Sequence, residues 1–214
     1  MSHKSILQLF QKHSNEEIQM SSHPTQQKLS GPRDPRNVNV VYDIFTDGSE
    51  IKDKNTYKTK GLGWSYVIFK DRNRISSKCG SLHDFTVGTN QQAELVAIDQ
   101  SLVALFEEIK PIDADVINIY TDSEYSIKCV TVWYVNWKTN NWKTAKNKPV
   151  KHRALIENIV YKLTQLKKDK ICVRVLHVKA HTDRTDYISM GNQEADALAR
   201  QCSIHSIRNK GLNS

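Results

Sequence analysis

The sequence predicts an α/β fold, a mixed sheet of five strands flanked by helices. Three observations predict it. Strand-like apolar runs come first and in succession, at 38–48, 61–70 and 74–85, as in an antiparallel meander. Helical and strand-like segments then alternate to the C-terminus, the pattern of strands packed by crossover helices. The chain has 214 residues, 38% of them hydrophobic, which suits one core domain with an additional segment.

Each element has its own signal. "VNVVYDIFTDG" (Val38–Gly48) is rich in β-branched and aromatic residues and stops at a turn-forming Asp-Gly. The polar "IKDKNTYKTK" reads as a flexible hairpin connection to "GLGWSYVIFK" (61–70), and "RISSKCGSLHDF" (74–85) is the third strand. Thr89 is a candidate N-cap for a helix reaching Ile109, because Leu95, Ile98, Leu102, Leu105 and Ile109 recur at spacings of three and four. "DVINIYTDS" (115–123) is a buried strand that ends as the first one does. A helix from Glu124 to about Lys138 follows, then an amphipathic helix with Ile156, Ile159, Val160, Leu163 and Leu166 on one face. "KICVRVLHVKAH" (170–181) is the last strand and "GNQEADALARQC" (191–202) the last helix. Residues 1–37 differ in texture. They are polar and rich in Ser, Gln, Pro and Asn, so they read as a disordered N-terminal extension. The folded domain is expected at 38–204, with 205–214 as a short tail.

Composition narrows the function. A formal net charge of +8 points to anionic partners, nucleic acid first and an anionic membrane surface second. No apolar run approaches the ~20 residues that span a bilayer. Cys79, Cys129, Cys172 and Cys202 are irregularly spaced without a C-x-x-C pair, so they read as core or surface thiols of a reducing compartment. An intracellular location, cytoplasm or nucleus, is expected. Lys4 and the apolar patch beside it leave mitochondrial targeting open, against Glu16 and Glu17.

Four acids stand at informative places. Asp47 and Asp122 each close an apolar strand in a Thr-Asp-(Gly/Ser) context, and adjacent strands would bring their carboxylates side by side. Glu94 falls in the first turn of the long helix, and Asp196 lies between Ala195 and Ala197 in the last one. A single Asp at a strand end is most often a turn or cap residue. Four acids converging on a basic chain are tolerated when divalent cations neutralise them, and hard oxygen ligands suit Mg²⁺ or Mn²⁺. Two such ions about 3.5–4 Å apart can activate a water and stabilise the leaving oxygen of a phosphodiester.

"IFTDGS", "TNQQAEL", "IYTDSEY", "VKAH" and "GNQEADALAR" occur in the order of the motifs of the type 1 ribonuclease H family, and the chain resembles that family from about Val38 to Cys202. The resemblance implies the ribonuclease H-like fold and cleavage of the RNA strand in RNA–DNA hybrids, leaving 5′-phosphate and 3′-hydroxyl ends. It implies two Mg²⁺ ions, with Mn²⁺ as a substitute, held by Asp47, Glu94, Asp122 and Asp196. Asp47 would bridge the ions, Asp196 would help hold the water-activating one, and Glu94 and Asp122 the one nearer the leaving oxygen. His181, a strand-end surface histidine on its own, matches a mobile-loop histidine that assists proton transfer and product release.

The expected grip on the hybrid follows. From Lys138 to Arg153 there are basic residues and no acid, interleaved with tryptophans. Lys138, Lys143 and Lys146 would meet phosphates, and Trp133, Trp137 and Trp142 would stack on sugar or base, although tryptophans also serve as packing residues of a helix pair. This stretch resembles the family's basic protrusion. Thr89, Asn90 and Gln91 match positions that touch the DNA phosphate and minor groove, Gly48 and Ser49 would admit the RNA beside Asp47, and Asn192 would assist. Three departures stand out: Glu124 in place of a neutral residue, Gln92 in place of an Arg, and a long stretch from His181 to Asp196. Near the N-terminus, Leu7 and Phe10 match the anchors of a degenerate sliding-clamp-binding peptide, against the simpler reading of a frayed apolar end. A monomer is expected. Two rival functions remain: a non-catalytic hybrid- or duplex-RNA-binding module, and a phosphodiester enzyme of the same fold such as an integrase or junction resolvase. Clustered carboxylates disfavour the first, because pure binding gains nothing from negative charge beside a phosphate backbone. The basic protrusion and "VKAH" disfavour the second.

Overall fold

A computed structural model describes residues 39–82, 89–180 and 184–211, all within the contact unit Val38–Ser214. The extension at 1–37, with Leu7 and Phe10, and the histidine at 181 lie outside the described residues. The strands are β1 (Val41–Lys52), β2 (Thr59–Lys70), β3 (Asn73–Ser81), β4 (Val116–Thr121) and β5 (Cys172–His177). They form one five-stranded sheet in the order β3-β2-β1-β4-β5. The β1–β2 and β2–β3 pairs are antiparallel, and β1–β4 and β4–β5 are parallel, so the expected mixed sheet is present.

Helix α1 (Asn90–Ala104) begins at Thr89, whose side chain accepts the Gln92 N–H at 3.3 Å as an N-cap. A π-helical turn, Leu105–Ile109, carries it to the predicted end. After β4 come α2 (Glu124–Lys128), a π-helical segment Cys129–Trp133, and α3 (Tyr134–Thr139). Helix α4 (Arg153–Lys168) precedes β5, and α5 (Tyr187–Gly211) ends the description.

The pleat sends alternate strand residues to opposite faces. Tyr42 and Ile44 of β1 and Leu62, Trp64, Tyr66 and Ile68 of β2 share a core with the predicted apolar faces of α1 and α4. Phe45 and Val67, offset by one, pack on the other face against Ala195, Tyr187 and Leu198 of α5. Helix α5 lies close because both surfaces are small there. A Cβ at Gly63 would collide with the backbone at Ala199, and the Ser65 hydroxyl donates to the Ala195 carbonyl at 2.6 Å.

Several expectations are corrected. β1 does not stop at Asp47 but continues to Lys52, because its antiparallel hairpin with β2 outlasts its parallel pairing with β4, which ends at Phe45–Tyr120. The connection read as flexible is a short turn in which Asp53 accepts the N–H groups of Asn55 and Thr56 at 2.9 and 2.8 Å. Helix α5 starts before the predicted 191, where Asp186 accepts the Ser189 N–H at 3.1 Å, and it extends through most of the expected 205–214 tail. The long stretch before Asp196 is therefore partly helix. The cysteine expectation changes too: Cys79 of β3 and Cys202 of α5 form a disulfide, with Cα atoms 6.2 Å apart. Only the crossing of α5 over β3 brings together residues 123 positions apart in sequence. Cys129 and Cys172 remain thiols. No helix among the described residues is long and apolar enough to cross a membrane.

Candidate metal centre and nucleic-acid interface

The register explains how the acids meet. Phe45 pairs with Tyr120 in parallel, so Asp47 and Asp122 emerge together, two residues further along each chain. Glu94 is the fifth residue of α1, a turn later than expected. It reaches the cluster because α1 presses on β1 at Gly48, where a Cβ would collide with the backbone of Ala93 and Glu94. Only glycine fits that approach. The backbone amide of Gly48 works against the upward push on both the Asp47 and the Glu94 carboxyls.

Asp47, Glu94 and Asp122 each offer a carboxylate oxygen, and these oxygens lie within 4.8 Å of one another. Asp47 is 4% exposed and Glu94 3%. Burial, then repulsion from Asp122 and Asp196, pushes the Asp47 carboxyl up to about 8. Burial, then Asp47 and Asp122, pushes Glu94 well above its usual range. Asp196, half-buried on α5, is within electrostatic reach of Asp47 but outside the close group of three. Glu94 Oε2 is buried without a hydrogen-bond partner. Protein oxygens alone, mutual repulsion and an orphaned buried acceptor together fit a hard divalent cation. The His177 ring stands beside this edge, with Nε2 3.2 Å from the Asp122 carbonyl. Glu124, one of the departures, is exposed and paired with Lys128 at 2.7 Å.

The predicted substrate contacts divide by burial. Asn90, Gln91, Lys138, Lys143 and Lys146 are exposed, and Ser49, Thr89, Trp133 and Trp137 are half-buried. Gly48, Trp142 and Asn192 are buried, so they stand behind the surface rather than on it. For Trp142 the reason is local. Its φ of 55° turns the chain after α3, and its ring lies 6.3 Å from that of Trp137, beneath the Arg153 guanidinium at 5.1 Å. Residues Trp142 to Val150 close into a compact turn through the Lys143–Pro149 bridge, with lysines on its outside. Gln92, the other departure, is 7% exposed and turned inward.

At this edge the sequence reading missed Glu50 and one role of Asn90. Glu50 accepts the Asn90 N–H at 3.2 Å, and Asn90 Nδ2 in turn donates to Glu94 Oε1 at 3.4 Å. Glu50 fell between the predicted first strand and the polar connection that starts at Ile51, and no sequence signal marked it. Asn90 carried a signal, four residues before Glu94 on a helix, but it was assigned only to substrate.

Residues 39–204 match the RNase H family. The chain is 37% identical over 176 residues to the ribonuclease H of Bartonella bacilliformis, covering 80% of this chain and 94% of that one. It is 33% identical over 158 residues to the ribonuclease H of Schizosaccharomyces pombe, covering 74% of this chain and 51% of the relative, so it spans about half of that protein. Among solved structures, the PFV RNase H domain superposes with a TM-score of 0.60 at 26% identity, covering 78% of this chain and 96% of that domain.

Proposed function

The chain belongs to the RNase H family, and from that premise we propose that it hydrolyses the RNA strand of RNA–DNA hybrids with divalent ions held at its carboxylate cluster. One observation carries the reading. Two strands and a helix deliver Asp47, Glu94 and Asp122 to a single point on a chain of net charge +8. A binding module of that charge gains nothing from such a cluster.

These three acids, with Asp196 closing from α5, would hold two Mg²⁺ ions, or Mn²⁺ in their place. When bound, such ions supply Lewis acidity to an attacking water and to the leaving oxygen. Because Asp47 and Glu94 are buried, few waters would compete with the ions for their oxygens. Half-buried Thr89 and exposed Asn90 and Gln91 would touch the DNA phosphate and minor groove, the exposed Lys138, Lys143 and Lys146 would meet phosphates, and half-buried Trp133 and Trp137 would offer ring edges beside them. Discrimination for RNA would come from the 2′-hydroxyls displayed in the hybrid's minor groove. His181 would serve proton transfer and product release, and the products would carry 5′-phosphate and 3′-hydroxyl ends.

Labelled hybrid, duplex RNA and duplex DNA incubated with Mg²⁺ or EDTA test this. Only the hybrid should be cut, and only with metal. Equal cleavage of all three, or cleavage in EDTA, overturns the proposal. Asp47→Asn should lose more than the ~100-fold typical of an outer-shell partner, yet still bind hybrid in a gel-shift assay, because it also removes a charge that repels phosphate.

A further inference from the structure

We propose that Asn90 and Glu50 are positioning residues that aim Glu94 at the metal. The inference rests on the reading of Glu94 as a metal ligand.

Glu94 Oε1 accepts from Asn90 Nδ2 at 3.4 Å, while Glu94 Oε2 is buried without a partner. One oxygen is thus held by the protein, and the other is left for the cluster with Asp47 and Asp122. Such an outer hydrogen bond fixes the rotamer and so the direction of the ligating lone pair. A partner four residues earlier on the same helix is well placed, because side chains at that spacing share a face.

Asn90 needs an anchor of its own. It is the first residue of α1, where N–H groups lack intrahelical acceptors. The first turn of α1 carries no acid. Glu50 supplies one from β1: its Oε2 accepts the Asn90 N–H at 3.2 Å, and its Oε1 accepts the Thr59 hydroxyl of β2 at 2.5 Å. Lys52 Nζ lies 3.5 Å from Glu50 Oε2 and balances part of its charge. The extension of β1 beyond Asp47 therefore has a use. The hairpin arm that carries Glu50 braces the start of the helix that carries Glu94.

Titration calorimetry of Mn²⁺ into the protein without nucleic acid separates this role from substrate contact. Asn90→Ala should weaken Mn²⁺ binding about 10-fold, within the range for outer-shell partners. Glu50→Ala should weaken Mn²⁺ binding as well, and Glu50→Gln, which keeps an acceptor for the Asn90 N–H, should restore it. Unchanged Mn²⁺ affinity in a folded Asn90→Ala overturns the inference and leaves Asn90 a substrate contact alone. Equal losses in Glu50→Gln and Glu50→Ala overturn the role of Glu50, because charge alone would then explain its effect. A folded wild-type protein that binds no Mn²⁺ removes the reading of Glu94 itself. If Asn90→Ala does not fold, the two Glu50 variants decide.

Discussion

At the scale of single residues, Asp47 is held where water is scarce and three carboxylates repel it. Its carboxyl is pushed from 3.8 to about 8 by burial first, then by Asp122 and Asp196. Between those values the folded chain binds protons that the unfolded chain has released. Without metal, the contribution of Asp47 to stability is therefore greatest at acidic pH and falls as pH rises from about 4 toward 8. Denaturant melts of wild type and Asp47→Asn in EDTA at pH 5 and pH 8 should show that fall as the difference between them. Mg²⁺ should offset it at pH 8 by binding only the folded state. Parallel curves for wild type and Asp47→Asn across the window contradict this electrostatic account. The residue types of this cluster were legible in the sequence. Its burial was not, because burial depends on α1 touching β1 at Gly48.

At the scale of elements, the helical stretch from Glu124 to Thr139 was foreseen, but not its π-helical middle at Cys129–Trp133. The aromatic ladder that follows has ring centroids 5.6 Å apart for Trp133–Trp137 and 6.3 Å for Trp137–Trp142. Its members differ in role by depth. Trp142 is 8% exposed and belongs to the core, whereas Lys143 beside it is exposed. Trp142→Ala should lower unfolding stability by about 3–5 kcal/mol, as large-to-small changes of aromatic core residues do. Lys143→Ala should leave stability unchanged and reduce the slope of log K for hybrid binding against log salt by about 0.9. Chemical denaturation and salt titrations of hybrid binding measure the two. Sequence could place Trp and Lys in one basic stretch, but it could not tell which faced inward. That is set by the left-handed backbone at Asn141 and Trp142, a conformation non-glycine residues adopt only when packing holds them there.

At the scale of the whole molecule, α5 ties the sheet together. It packs on β1 and β2 through small residues and is joined to β3 by the Cys79–Cys202 bond. Closing a loop of 123 residues restricts the unfolded chain, worth up to about 4–5 kcal/mol in the chain-entropy account. Cys79→Ser should lower the denaturation midpoint of the oxidised protein, and a reducing agent should do the same to wild type but nothing further to the variant. Equal midpoints for oxidised wild type and Cys79→Ser would count against the bond. By itself the sequence determined the element order, the mixed sheet, the apolar faces of α1 and α4, and that acids stand at Asp47, Glu94 and Asp122, which the fold brings together. Each of these is written in local periodicity or in short motifs. Tertiary structure alone decided the rest. Pairing register set Asp47 beside Asp122, and helix–strand contact at Gly48 buried Glu94. Crossing helices joined Cys79 to Cys202, and the hairpin arm brought Glu50 to Asn90. These are contacts between residues far apart in the chain, and no local pattern encodes the distance between them.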